Sequence, residues 1–413
     1  MKTKKILSCL ISVLLMLCFA TCCVGAAETE EHSYDMEYYS KLKDKNVTIY
    51  VYNWGEYIAD GGDGSMNIIK EFERITGINV EYTTFDSNES LYAKLKSGSA
   101  SYDVIFPSDY MVSRLAQEGM LHKIDYSNVP NFEKYVDDEF KYPEYDPTNE
   151  YSVPYTWGTI GVIYNTKYVD EADVDGWDML WNEKYEGKIL MFDNSRDAFA
   201  ISLKRLGYSM NSTDTEELKE AAEELSKQSG IVQAYVMDQI FDKMVEENAY
   251  IAPYYAGDFL TMVDENEDLA FVFPDEGTNL FTDAMCIPST SKNKEAAEMF
   301  INFLCEPTIS AENCNMIWYS TPISAAKQYL YEELAQSDIA YPSQDILDDS
   351  ERYVHLTGDT NQLMDDLWVS IVRTNSLTAS FWITIAVICV IVLAIVFRNM
   401  YIKKKRLEAR LKY

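Results

Sequence analysis

Short β-branched runs alternate with amphipathic helical segments from Asn46 onward, and no other feature narrows the fold so far. In NVTIYV, Val47, Ile49 and Val51 alternate with Thr48, Tyr50 and Tyr52 at the period of a strand. Ile68, Ile69, Phe72 and Ile75 then recur at helical spacing until Gly77 provides a stop. A second strand, INVEYTTF, runs into Asp86-Ser87-Asn88-Glu89, read as an acidic cap with a glutamate three residues on, opening a helix that carries Leu91 and Leu95. The third, YDVIFPSDY, is nearly all apolar before its polar end, as in a strand covered on both faces. Strand, helix, strand, helix predicts an α/β fold on a parallel-type sheet with crossovers. Further strands are expected at YSVPYTWGTIGVIYN, KILMFD, AYIAPYY and LAFVFP. Further helices are expected from Arg196 to Leu206, from Glu216 to Ser226 behind the cap Asp214, from Gln239 to Glu247, from Lys294 to Leu304, and at QLMDDLWVSIV.

The two ends follow a different pattern. Residues 1–26 begin with Lys2, Lys4 and Lys5 and continue as an apolar run to about Ala20, the pattern of a signal peptide; Phe19-Ala20-Thr21-Cys22 is a poor version of a lipoprotein box. Near the C-terminus, residues 379–397 hold no charge and suffice to cross a bilayer as one transmembrane helix. The basic tail over 398–413, with Lys403, Lys404, Lys405 and Arg406 in a row, places itself in the cytoplasm and everything between the two apolar segments outside. The expected location is the cell membrane, with the folded part extracytoplasmic, at a bacterial cell surface or in a periplasm.

Setting aside the three leading lysines and the seven basic tail residues leaves 25 of 35 Lys and Arg against 66 of 67 Asp and Glu, a charge of about −41 on the part between. Such a surface excludes nucleic acid as a partner and suits cationic ligands. Only Cys286, Cys305 and Cys314 lie outside the apolar ends, so at most one disulfide can form there.

Ligands of open α/β sheets bind beyond the carboxyl ends of strands. Four expected strands end in acids and rings: Trp54, Glu56 and Tyr57; Ser108, Asp109 and Tyr110; Asp193, Asn194 and Asp197; Tyr254, Tyr255 and Asp258. A cleft of such groups is complementary to a flexible amine, because carboxylates and hydroxyls replace the water of an ammonium while aromatic faces attract cations and cover methylenes. Each residue also has an ordinary reading, as a rim aromatic or a solvated turn. With only three histidines and no GxSxG or HExxH element, catalysis has little support, and a surface enzyme acting on glycans is the weaker alternative. The segment DGGDGS from Asp60 to Ser65 reads as a Gly-rich turn, since the remaining ligand spacing of a calcium loop is missing; neither metal nor cofactor is expected.

The wording of YVYNWGEYI, of EFERITGINVEYTTFDSNESLYAKLKSG, of YSVPYTWGTIGVIYN and of DAMCIPSTSKNKEAAEMFINFLCEP resembles the spermidine/putrescine-binding proteins of polyamine ABC importers, the PotD-like group. The resemblance implies a two-lobed, type II periplasmic-binding-protein-like fold, with residues 47–158 and 281–327 in one lobe and 159–280 and 328–373 in the other. It implies capture of putrescine or spermidine in the interlobe cleft and delivery to an ABC transporter permease, without catalysis. Trp54, Glu56, Tyr57, Ser108 and Tyr110 would line the site from the first lobe, Asp197 would face a terminal amine from the second, Asp283 would pair with an internal or second amine, and Tyr319 would stack nearby. Asn194 stands where the group offers a second acid, and Tyr255 and Phe281 where tryptophans are common; Tyr353 falls at a position that often carries Gln. These departures bear on ligand length and leave open a receptor of the same fold for another organic cation or solute.

Overall fold

The computed structural model describes residues 33–372 and 398. The expected signal peptide, the membrane helix over 379–397 and all but the first residue of the tail lie outside them. Among the described residues no helix is long and apolar enough to cross a membrane.

Among the described residues nine strands carry the fold: β1 (Thr48–Trp54), β2 (Asn79–Phe85), β3 (Val104–Ile105), β4 (Ser152–Asn165), β5 (Ile189–Phe192), β6 (Val232–Val236), β7 (Ile251–Tyr255), β8 (Leu269–Val272) and β9 (Leu280–Cys286). They are ordered β2-β1-β3-β9-β4-β7-β5-β6, with β8 paired to β4. The units β1-β2-β3 and β5-β6-β7 are parallel, as the strand–helix alternation requires. β4, β8 and β9 are antiparallel insertions, which the expected parallel-type sheet did not contain. Strand β4 changes partner midway: Ser152 to Thr159 pair with β9, and from Ile160 onward the strand pairs with β7 and β8. Two hydrophobic cores follow from this division. One gathers Ile49, Phe72, Phe106, Phe300 and Phe303, and the other Trp177, Met191, Phe192, Phe199 and Ile251.

Local signals set most element ends. Gly77 closes the helix Ile68–Thr76 in the left-handed region at φ 70°, a conformation that glycine adopts without the steric cost of a Cβ. Asp214 caps the helix Thr215–Gln228 through its carboxylate. The cap of the helix Asn88–Ser97, however, is Ser87 in a reciprocal box with Ser90, not Asp86 with Glu89. Two strands were not expected. β6 is half-buried along most of its length, and β9 carries Thr282 and Asp283 at its centre, polar residues that read as loop. The apolar run before Ser108 yields only Val104–Ile105 as ladder-paired strand, because the chain turns past Pro107 into the helix Asp109–Gln117. Cys286, Cys305 and Cys314 are buried free thiols, so no disulfide forms among them.

Candidate functional site

A cavity of about 750 Å³, counted to its open mouth, lies where the ends of β1, β3, β5 and β7 face β9. Each wall begins with the way its strand ends. After β1 the chain passes Gly55 and Glu56, the latter at φ 46°, and this turn drives the Tyr57 ring inward. Its hydroxyl donates to Asp283 Oδ2 at 2.7 Å and lies 2.5 Å from Thr156 Oγ1. Ser108 is the N-cap of the helix Asp109–Gln117 but makes no side-chain cap bond; its hydroxyl donates instead to Asp283 Oδ1 at 2.6 Å. Both oxygens of Asp283, in the middle of β9, are thus held by hydroxyls, one from the turn after β1 and one from the cap of the helix that follows β3.

The opposite wall is built on the helix Ser195–Arg205. Asn194 caps it by accepting from Asp197 N at 2.8 Å and returns a bond from Nδ2 to Asp197 Oδ2, also 2.8 Å. The residue expected to weaken the pocket's charge therefore orients the remaining one. Asp197 also accepts from Tyr255 at 3.1 Å and from Tyr353 at 3.0 Å. It sits in the first helical turn, where the helix dipole favours an anion.

Tyr319 enters from a third side. The helix Pro307–Ile317 ends at Trp318 in the left-handed region, φ 60°, and the reversal turns Tyr319 into the cleft. The ring meets Tyr57 edge-on at 4.8 Å, its hydroxyl hydrogen-bonds Asp258, and a Cβ at Gly257 would overlap it. Trp54, fixed by its indole N–H on Phe106 O, and the Tyr255–Phe281 pair, 5.5 Å apart, supply further aromatic surface.

Six carboxylates line the cavity, from Glu89, Asp109, Asp197, Asp238, Asp258 and Asp283, and no lysine, arginine or histidine lines it among the described residues. Arg196 and Arg352 stand behind the lining, against the Tyr353 ring and Asp109 respectively. Loss of water pushes the carboxyls up: Asp258 to about 8, Asp109 to about 7 and Asp283 to about 6, with Asp197, Glu89 and Asp238 raised by the same cause. Among the described residues no group of acids, histidines or cysteines is arranged to hold a metal.

Of the residues singled out from sequence, Trp54, Tyr57, Ser108, Tyr110, Asn194, Asp197, Tyr255, Phe281, Asp283 and Tyr319 all line this cavity. Glu56 does not. Its side chain is exposed at the rim, because the turn that buries Tyr57 points the preceding residue outward; its charge still adds to the upward shifts of Asp238 and Asp258. Glu89, expected to serve as a cap, instead accepts from Tyr110 at 2.9 Å in the cleft. Asp193, beside Asn194, faces solvent.

A two-lobed scaffold with a ligand-sized cleft suits a binding protein, and the chain belongs to the bacterial extracellular solute-binding protein family, whose profile it matches over residues 67–343. It is 36% identical over 309 residues to the spermidine/putrescine-binding periplasmic protein of Escherichia coli K12, covering 75% of this chain and 87% of that one. It is 30% identical to the putrescine-binding periplasmic protein SpuD of Pseudomonas aeruginosa, covering 79% and 92%. The crystal structure of the spermidine/putrescine ABC transporter substrate-binding protein PotD of Streptococcus pneumoniae, 36% identical, superposes with a TM-score of 0.66 over 80% of this chain and all of that one.

Proposed function

We propose that this protein captures a polyamine of the putrescine or spermidine class in its cleft, outside the cytoplasm, and hands it to the permease of an ABC importer. One observation carries the reading: six carboxylates converge with aromatic rings on one cavity whose lining, among the described residues, contains no cation. Buried carboxylates without a counter-ion cost several kcal/mol and respond by taking up protons; an ammonium at each end of a methylene chain relieves that cost. The rings add about 0.5–2 kcal/mol per cation contact, and each covered CH₂ contributes about 0.8 kcal/mol. Asp197 and Asp283, oriented from opposite walls by Asn194, Tyr255, Tyr57 and Ser108, are the two ends of the clamp. The names of the relatives support the same ligand class.

In this reading residues 47–158 with 281–327 and residues 159–280 with 328–373 move as two bodies, bending where β4 changes partner at Thr159 and Ile160. Closure expels water and presents the permease with a shape that the open form lacks. The apolar segment 379–397 tethers the binding part to the membrane, with the basic tail 398–413 on the cytoplasmic side and residues 1–26 removed as a signal peptide.

The test is calorimetry and thermal unfolding with putrescine, spermidine, lysine, arginine and uncharged 1,4-butanediol. At 100 times its dissociation constant a bound amine stabilises by about 2.7 kcal/mol. Stabilisation by putrescine or spermidine that weakens as salt rises supports the proposal, since ions screen the attraction. Stabilisation by butanediol or by the amino acids, with none from either polyamine, would remove it.

A further inference from the structure

Behind the cleft lies a second space of about 590 Å³, counted to its open mouth, and the two share Asp109, Tyr110 and Tyr353 as lining. The hydroxyls of both tyrosines are taken by acids of the cleft, that of Tyr110 by Glu89 at 2.9 Å and that of Tyr353 by Asp197 at 3.0 Å. The rear space differs from the cleft in its chemistry, because Arg352 and His355 line it. Arg352 donates from Nη1 to Thr282 Oγ1 at 2.9 Å, which pins the side chain to β9. Among the described residues its acid neighbour is Asp109, 3.9 Å away and beyond hydrogen-bond reach. Burial pushes Asp109 up to about 7, so near neutrality this acid offsets only part of the guanidinium's charge. The remaining N–H groups of Arg352 form no hydrogen bond among the described residues, and the side chain is 40% exposed.

Neutral donors stand around that guanidinium. Burial keeps the Tyr145 phenol protonated, close to the charges of Asp109 and Arg352, and its hydroxyl makes no hydrogen bond among the described residues. Ser113 Oγ accepts from Gln117 Nε2 at 3.0 Å, which leaves its own proton to donate. Burial, with the charge of Arg114, holds His355 below the ordinary imidazole range, so the ring is neutral at pH 7 and offers one N–H.

We infer that this rear space is a second ligand site, which takes a small monocarboxylate on the Arg352 guanidinium. The planar fork of an arginine matches both oxygens of a carboxylate. The hydroxyls of Tyr145 and Ser113 are the next donors, and the rings of Tyr110 and Tyr353 cover the carbon part of the ligand. A dicarboxylate fits less well, since its second charge meets Asp109 in the wall or Glu144 at the exposed mouth. The site does not depend on the polyamine reading: six carboxylates turn anions away from the front cleft, so the two spaces take ligands of opposite charge.

The experiment is thermal unfolding of the full-length chain titrated with lactate, acetate, succinate or chloride at constant ionic strength. Lactate and acetate are expected to raise the melting temperature in a saturable way, with succinate weaker than either. Arg352→Gln should raise the lactate dissociation constant about tenfold or more, and Ser113→Ala about threefold, while Asp283→Asn in the front cleft leaves it unchanged. Where Arg352→Gln fails to fold, Ser113→Ala decides. Lactate affinity that survives both rear variants overturns the inference, as does its loss in Asp283→Asn. Chloride or succinate as effective as lactate overturns the assigned ligand class, and no saturable effect of lactate or acetate overturns the site. Failure of putrescine and spermidine to bind removes the polyamine reading and leaves this site standing.

Discussion

Tyr57 and Asp283 are separated by 226 residues, yet the phenol of one donates to the carboxylate of the other at 2.7 Å on the cleft floor. The bond joins the turn after β1 to the middle of β9 and aims Asp283 into the cavity. Replacing Asp283 with Asn keeps the shape and removes a buried charge, so the ligand-free protein should hold or gain stability, while polyamine affinity falls by about 2–5 kcal/mol. Tyr57→Phe should cost about 1.5–3 kcal/mol of affinity through the lost charge-assisted bond. Urea unfolding and calorimetry on the same samples separate the two effects.

Binding should expel the protons that burial has installed. Asp258 at about 8 and Asp283 at about 6 are partly protonated near neutrality, whereas an ammonium pairs with the ionised form. Affinity is therefore expected to rise from pH 6 to 8, with protons released in proportion; titration in two buffers of different ionisation enthalpy counts them. Because the folded pKa of Asp258 is raised above its unfolded value, its contribution to stability is complete at low pH and is lost as pH rises through about 8. Melting temperatures of the ligand-free protein should therefore fall from about pH 4 to about pH 8 and level off above that, and saturating putrescine should flatten the fall.

Gly257 lies against the face of Tyr319, where an added methyl has no room. Gly257→Ala should displace the ring, break its bond to Asp258 and destabilise the fold by about 1–3 kcal/mol. Amine affinity should drop with it. An unchanged melting temperature together with unchanged affinity would show that the ring does not need its present position.

A stop codon before Ala379 tests the proposed tether. The truncated protein should appear in the soluble extracytoplasmic fraction, bind amine as the full chain does, and support slower uptake at low external polyamine, because a short tether holds the binding part near its transporter at high effective concentration. Uptake equal to that of the full chain would leave the segment without a role in transport.

Much of the cleft could be read from local pattern. Trp54, Tyr57, Ser108, Tyr110, Asn194, Asp197 and Tyr255 all stand at the carboxyl ends of strands whose periodicity is plain, and an α/β sheet gathers such ends along one edge. Asp283 and Tyr319 were reached only through resemblance to a known group. One sits inside a strand that its own polar residues disguise, and the other past a helix whose left-handed stop falls on a tryptophan. Glu56 shows the limit of the same reasoning, since adjacency to Tyr57 suggested a shared direction and one residue with positive φ reversed it.

By itself, then, the sequence determined the strand–helix alternation, the acidity, and the residue types waiting at the strand ends, because periodicity and capping act over a few residues. Only the tertiary structure decided that β9 and β4 run antiparallel through the middle and that Asp197 is shared by Asn194, Tyr255 and Tyr353. Those pairings span up to 156 residues of chain. They depend on the order in which strands join and on which rings fill the space between, a choice that burial and packing of the whole molecule make and no local segment encodes.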